Sequence, residues 1–238
     1  IGFDKRLWAV EGGNLRVSEC LLNKSRAKLA RTEVKEIMNI GGQWKVEDTS
    51  EPFDVVIIAA PLTADKSHLR IQSITNPVRG SYHRTVSTMV RGDLNTASLG
   101  LAEAELLTSH YFYPSSTFPV WSVETMTPVD YSEADTELPY VHRLFSHLPL
   151  SEEILDTMFT SIEEVSETDW LAYPQYYPGA DLGSFILDAG LYYINSVENA
   201  ASAMEMSVLG ARNVINLIEA DFLNNLILRQ SEQGKIEL

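Results

Sequence analysis

Glu198 and the pair Gly12-Gly13 are the residues of this 238-residue sequence whose setting could do chemistry. Glu198 closes the run Tyr192-Tyr193-Ile194-Asn195-Ser196-Val197-Glu198-Asn199, which reads as a short strand handing over to the start of a long helix. A strand that ends in a carboxylate beside a helix N-terminus is a common seat for a nucleotide cofactor. The carboxylate accepts from a sugar hydroxyl while bare helix amides serve the pyrophosphate. A surface glutamate between strand and helix explains the same pattern as well. Gly12 and Gly13 sit in Glu11-Gly12-Gly13-Asn14, just ahead of another helical pattern. Unpaired amides and the positive end of the helix dipole could there face a phosphate or the polar edge of a cofactor. A simple tight turn calls for the same two glycines.

Generic catalytic patterns are absent. There is no GxSxG elbow, no HExxH and no Walker loop; His142 and His147 are five apart and His68, His83 and His110 are scattered, so each histidine reads as a surface or hydrogen-bonding residue. Cys20 is the only cysteine, which excludes a disulfide framework, a paired-thiol redox site and a cysteine-built zinc site. Eighteen basic against thirty-three acidic residues give a formal charge of -15, which repels a phosphate backbone or an anionic membrane surface. Nucleic acid is therefore not expected as a partner. The most apolar long segment, Val208 to Leu228, is interrupted by Arg212, Asn213, Glu219, Asp221 and Asn224. No run approaches the roughly 20 apolar residues of a membrane span, so no transmembrane segment is expected and the chain should be soluble.

The elements that must position these residues follow from periodicity. Val17, Cys20 and Leu21 fall at helical spacing after the glycine turn within Trp8 to Leu29. Glu33 to Met38 and Trp44 to Glu47 are short strand candidates around Gly41-Gly42. Phe53 to Ala60 is apolar without alternation between Pro52 and Pro61, the pattern of a central parallel strand covered on both faces. Thr85 to Val90 is β-branched, and Tyr111 to Pro128 carries aromatics and prolines, a second region of strands and loops. Ser151 to Val165 reads as an amphipathic helix, with Ile154, Leu155, Met158, Phe159, Ile162 and Val165 on one face. The ring-rich connector Trp170 to Gly179 should pack on something. Gly190 to Ile194 is a short strand, and Ser202-Ala203-Met204-Glu205 is a capping-box pattern for the last helix. Along that helix Ala203, Ser207, Gly210 and Ala211 leave a stripe almost without side chains, to which something must come close.

Five ordered blocks closely resemble the prenylcysteine oxidase family. They are Leu7-Trp8-Ala9-Val10-Glu11-Gly12-Gly13-Asn14, Val55 to Leu62, Val90-Arg91-Gly92-Asp93-Leu94-Asn95, Trp170-Leu171-Ala172-Tyr173-Pro174 and Leu191 to Met206, and the resemblance runs from about Leu7 to Leu217. More distantly, the Gly-Gly turn and the terminal strand-helix are similar to those of amine oxidase and phytoene desaturase flavoproteins. The resemblance implies an FAD-dependent oxidase that cleaves farnesyl- or geranylgeranyl-cysteine with O2 and water, giving cysteine, a prenyl aldehyde and H2O2. The runner-up readings are a non-catalytic prenyl-lipid-binding member or truncated product of the same fold, and an FAD-dependent amine oxidase. Carried onto this chain, Glu198 takes a ribityl or ribose hydroxyl, the amides around Ala203, Met204 and Glu205 lie near the pyrophosphate and the flavin pyrimidine edge, and Gly12 and Gly13 let the backbone approach the flavin. Family members look like lysosomal, endomembrane or secreted glycoproteins, in keeping with the acceptor triplet Asn23-Lys24-Ser25.

Flavin chemistry needs little from the protein beyond orientation and exclusion of solvent, so no catalytic residue is nominated and no metal is implied. A prenyl tail needs an apolar channel, since each buried CH₂ contributes about 0.8 kcal/mol. Phe112, Tyr113, Phe118, Val120, Trp121, Met158 and Phe159 are available to line one, and core packing explains the same residues. The fold class expected is α/β, the C-terminal part of a two-domain FAD-dependent oxidase fold with an inserted α+β substrate domain. Its parts are 1–64 and 171–220 in the FAD-binding domain, 65–170 for substrate and 221–238 as a tail. The N-terminal Rossmann segment with its GxGxxG turn has no counterpart here, so these residues alone are expected neither to retain FAD nor to turn over a thioether.

Overall fold

The structure is a computed structural model and describes residues 10–72, 74, 78–102, 109–115, 117–126 and 140–233. Leu7, Trp8 and Ala9 of the first family-like block lie outside the described residues, as do 127 and 128 of the aromatic stretch. In chain order the elements begin with α1 (Leu15–Ser25), β1 (Glu36–Ile40), β2 (Gln43–Val46), β3 (Val56–Ile58) and β4 (Arg70–Ile71). Then come β5 (Tyr82–Leu94), α2 (Thr96–Leu99), β6 (Ser109–Tyr111), β7 (Val120–Met126), β8 (Val141–Ser146), α3 (Glu152–Met158) and β9 (Phe159–Pro174). The chain continues with β10 (Ile186–Asp188), β11 (Leu191–Tyr193), a 3₁₀ turn over Ile194–Asn199 and α4 (Met204–Gln233). This is a mixed α/β protein with three sheets among the described residues.

The chain forms two compact units. One joins the residues up to Arg31 with Arg84–Trp170, and the other joins Thr32–His83 with Leu171 onward. The sequence had suggested divisions after residues 64, 170 and 220; the units divide after 31, 83 and 170, and α4 runs on to Gln233 where a tail was expected.

In the first unit the sheet order is β6-β7-β8-β5-β9. The strand β8 alternates, turning His142, Leu144 and Ser146 inward. Val90, Val120, Val123 and Leu144 pack there with Leu155, Met158 and Phe159 from the α3–β9 segment. The helix expected over Ser151 to Val165 is a correction. Ser151 does cap it, accepting from the Ile154 amide, and Glu152 and Glu153 stand in its first turn, but it ends at Met158 and Phe159 is already extended at φ -125 and ψ 142. The apolar spacing suited either state. Thr160, Ile162, Val165 and Thr168 are β-branched and lose less in a strand, and β9 gains a whole edge of β5 as partner. Arg84 on β5 forks onto the Asp169 carboxylate of β9, its Nε at 2.9 Å.

The second unit has the sheets β2-β1-β4 and β10-β11-β3. The β1–β2 hairpin closes on Gly41 and Gly42, both at positive φ, as a two-residue turn needs. Ile37, Trp44, Ile58, Leu62, Ile71, Leu191 and Tyr193 form the core, and the fully buried Trp44 donates its indole N–H to the Ala189 carbonyl at 2.8 Å. The apolar run Phe53 to Ala60 was expected to be a central strand. It supplies only the three residues of β3, paired parallel to β11 at the end of its sheet, with Ile57 39% exposed. Parallel pairing is as expected; the central position is not.

Gly92 shows what the packing of the first unit depends on. A Cβ there would stand 2.2 Å from the Ser161 carbonyl oxygen and 3.1 Å from the Ile162 Cα, so β5 and β9 approach through the missing side chain. Both contacts are backbone and cannot rotate away. Gly92→Ala should lower unfolding free energy by about 1–3 kcal/mol, the usual range for overpacking, measured by denaturant titration. An unchanged midpoint contradicts this close approach.

Candidate functional site

All three residues of β11 are buried, as a strand covered on both faces must be. The Tyr192 phenol donates to the Asp221 carboxylate of α4, and the Tyr193 phenol oxygen accepts from the Leu62 N–H at 3.3 Å. Burial first, with Asp221 or Glu198 adding to it, pushes both phenols up to about 12. The chain then tightens into the 3₁₀ turn, whose Val197 carbonyl accepts from the amides of Ala200 and Ala201 at 3.0 and 3.1 Å. Ser207 N–H to Ala203 carbonyl at 3.0 Å opens α4. The Met204 and Glu205 amides of its first turn therefore have no helix carbonyl to bond. The helix opens within the Ser202-Ala203-Met204-Glu205 pattern, its first residue being Met204.

The small stripe on α4 is met by the chain itself. A Cβ on Gly210 would stand 2.9 Å from Val197 Cγ1 and 3.3 Å from the Ile194 carbonyl oxygen, so the 3₁₀ turn lies directly on the helix. Ala203 and Ser207 remain exposed. The close approach is real at Gly210, and what comes close is residues 194 to 197.

Glu198 is half-buried at the end of this turn, held by two tyrosines. The Tyr82 phenol donates to its carboxylate, and the Tyr176 phenol donates to its main-chain carbonyl at 2.9 Å. The second carboxylate oxygen has no partner among the described residues. Tyr82 is 7% exposed, and the Lys66 ammonium stands 5.3 Å from its ring centroid. Burial, and after it the Glu198 carboxylate, hold the Tyr82 phenol far above its ordinary range, so it remains a donor at any physiological pH. Tyr173 stacks between His83 and Tyr176, with centroids 5.2 and 6.0 Å apart. Tyr173, Tyr176, Ala200, Ala201 and Ser202 line an open cavity of about 340 Å³ beside the start of α4. The ring-rich connector thus packs where the sequence had left its partner unnamed. Tyr82 and Lys66 were missed. No spacing links either to Glu198, because only the fold brings residues 116 apart in sequence together.

The other nominated residues lie elsewhere. Gly12 and Gly13 are exposed at φ 77 and 89 in the first unit, in a turn closed by the Gly13 N–H on the Val10 carbonyl at 2.9 Å; α1 follows and buries no residue. Asn23 is exposed on α1. Of the channel residues, Met158 and Phe159 are buried in the core of the first unit, and Phe112 and Phe118, edge to face with each other, pack against it. Trp121 stacks on Phe145 at 6.5 Å and tilts against His147, and Tyr113 is 99% exposed. Packing accounts for the first four. Among the described residues no group of histidine, cysteine and acidic side chains could hold a metal ion, and no helix is long and apolar enough to cross a membrane.

The fold and site define a mixed α/β protein whose candidate centre is a tyrosine-held carboxylate where a buried strand turns into a helix. The chain belongs to the prenylcysteine lyase family, whose profile matches residues 1–230. It is 31% identical over 236 residues to prenylcysteine oxidase 1 of Pongo abelii, covering 88% of this chain and 46% of that protein. It is 32% identical over 238 residues to prenylcysteine oxidase 1 of Bos taurus, covering 89% and 46%, and 32% identical over 236 residues to farnesylcysteine lyase of Arabidopsis thaliana, covering 95% and 45%. The chain spans about half the length of the curated relatives it matches.

His142 was read from sequence as a surface or hydrogen-bonding residue and is fully buried, with the Thr125 hydroxyl 3.1 Å from its Nδ1. Burial holds the imidazole below its ordinary 6.5, so the unfolded chain binds the proton more readily. Its contribution to stability is complete above about pH 6.5 and is lost as pH falls from there towards the folded-state value. His142→Gln should flatten the fall in stability below about pH 6.5 by up to about 1.4 kcal/mol per pH unit. Parallel pH profiles for the two proteins in denaturant titrations contradict this.

Proposed function

We propose that this chain is part of an FAD-dependent thioether oxidase that converts farnesyl- or geranylgeranyl-cysteine, O2 and water into cysteine, prenyl aldehyde and H2O2. Membership of the family and the names of its relatives, prenylcysteine oxidase and farnesylcysteine lyase, support the substrate class. The observation that carries the cofactor reading is the Glu198 carboxylate, fixed on one oxygen by Tyr82 and open on the other, next to an exposed helix start. These residues fit the group. The free oxygen of Glu198 would accept from a ribityl or ribose hydroxyl, and the first-turn amides of Met204 and Glu205, which have no helix carbonyl to bond, suit the pyrophosphate or the pyrimidine edge. When bound, FAD supplies the acceptor for the hydride that leaves the carbon next to sulfur.

The chain's own residues orient and shield. Tyr173 and Tyr176 wall the cavity beside Ala200–Ser202 with rings, so a cofactor edge seated there loses contact with water on that side. Gly13, at positive φ, leaves the backbone open to a ligand, since nothing lies within 4 Å of the place its Cβ would take, while the Arg16 side chain lies 3.0 Å from the corresponding place at Gly12. The exposed Asn23 supports glycosylation and an endomembrane lumen, lysosome or secreted route as the setting.

The test uses the intact natural polypeptide that carries these 238 residues. It should purify with FAD and release H2O2 on addition of farnesylcysteine, and Glu198→Ala should weaken FAD binding by about 1–3 kcal/mol. Absence of bound flavin at saturating FAD contradicts the cofactor reading. Flavin binding without peroxide points to a non-catalytic lipid-binding member, and peroxide only with an amine points to an amine oxidase.

A further inference from the structure

Tyr82 and Tyr176 come from distant parts of the sequence and meet on one residue, and the cause is a local pairing of backbone. The Gln175 N–H donates to the Ser81 carbonyl at 2.9 Å, and the Ser81 hydroxyl donates to Gln175 Oε1 at 2.9 Å. Each tyrosine is the next residue along, so this single tie delivers both phenols to Glu198, one to the side chain and one to the main chain. Tyr82 is itself fixed. Its N–H donates to Asp65 Oδ2 at 2.6 Å, its ring is buried, and the Lys66 ammonium on that ring is anchored by donating to the Leu171 carbonyl at 3.0 Å.

A glutamate on a surface turn samples several rotamers and loses that freedom when it binds a ligand. One whose carboxylate already accepts from a rigid donor has lost it beforehand, and its second oxygen is presented in one place. We infer that Tyr82 is a positioning residue for the cofactor seat, holding Glu198 through its carboxylate while Tyr176 holds the same residue through its carbonyl. This rests on the reading of Glu198 as a ligand of FAD. Neither tyrosine is asked to touch a reacting atom.

The test is a double-mutant cycle in the intact natural polypeptide, with FAD affinity read from flavin fluorescence and the unfolding midpoint of the flavin-free protein read beside it. Tyr82→Phe keeps the ring and removes only the hydroxyl. It should weaken FAD about tenfold where Glu198 is present and change nothing in the Glu198→Ala background, as a lost hydrogen bond to a charged group does when its partner is also gone. Tyr176→Phe, at a residue 50% exposed, should fold in any case and show a smaller loss with the same dependence on Glu198. Equal losses in both backgrounds mean that the tyrosines only support the local fold, and overturn the inference. So does undiminished binding in Tyr82→Phe and Tyr176→Phe when Glu198→Ala binds weakly, a result that leaves the cofactor reading standing. If Glu198→Ala binds FAD as the parent does, or the parent binds none, the reading of Glu198 falls and the inference falls with it.

Discussion

Burial of the three residues of β11 on both faces is the constraint on which the candidate site depends. A strand this short is held by what covers it: Leu191 and Tyr193 belong to the core with Trp44 and Ile58, while Tyr192 reaches Asp221 on α4. With β11 fixed, the chain leaves it at a set point, and residues 194–203, the first six of them in the 3₁₀ turn, lead to the start of α4. Gly210 lets that turn lie flat on α4. Glu198 is thereby placed at the rim of packed structure, with its main-chain carbonyl bonded by Tyr176 and its side chain half-buried. That combination suits a ligand contact, because the entropy of ordering the backbone is met by folding.

The tyrosines give the site its chemistry. A carboxylate near a surface normally takes its hydrogen bonds from water, which any ligand must displace. Here one oxygen is served by a phenol that burial keeps protonated, and the other is left for exchange. The stacked rings of His83, Tyr173 and Tyr176 extend the same rim with flat, apolar surface beside the exposed amides of α4. Donors, an acceptor and a flat wall within one unit are what a cofactor with a sugar, a phosphate and an aromatic ring system needs.

Much of this was legible in sequence where a pattern is local. The Gly41-Gly42 hairpin, the Thr85 to Val90 strand, the strand at Gly190 and the last helix all carry their signals within a few residues. The errors came where two structures share a pattern. Ile154, Leu155, Met158, Phe159, Ile162 and Val165 have helical spacing, yet the chain turns extended at Phe159 because β5 offers it an edge, a gain that no window of sequence contains. The apolar run around β3 suggested burial on both sides, and the fold puts it at the end of its sheet. At the site, Glu198 stood out because a strand, a carboxylate and a helix start lie next to one another. Tyr82 did not, since its role exists only after Ser81 and Gln175 have paired.

Amide hydrogen exchange of the intact natural polypeptide, with and without FAD, tests most directly whether the junction after β11 is a cofactor seat. The account predicts slowed exchange on FAD binding at residues 204–206, whose first-turn amides have no helix carbonyl to bond, together with residues 173–176 on the wall of the cavity. Bound FAD that leaves the exchange of both segments unchanged would contradict it.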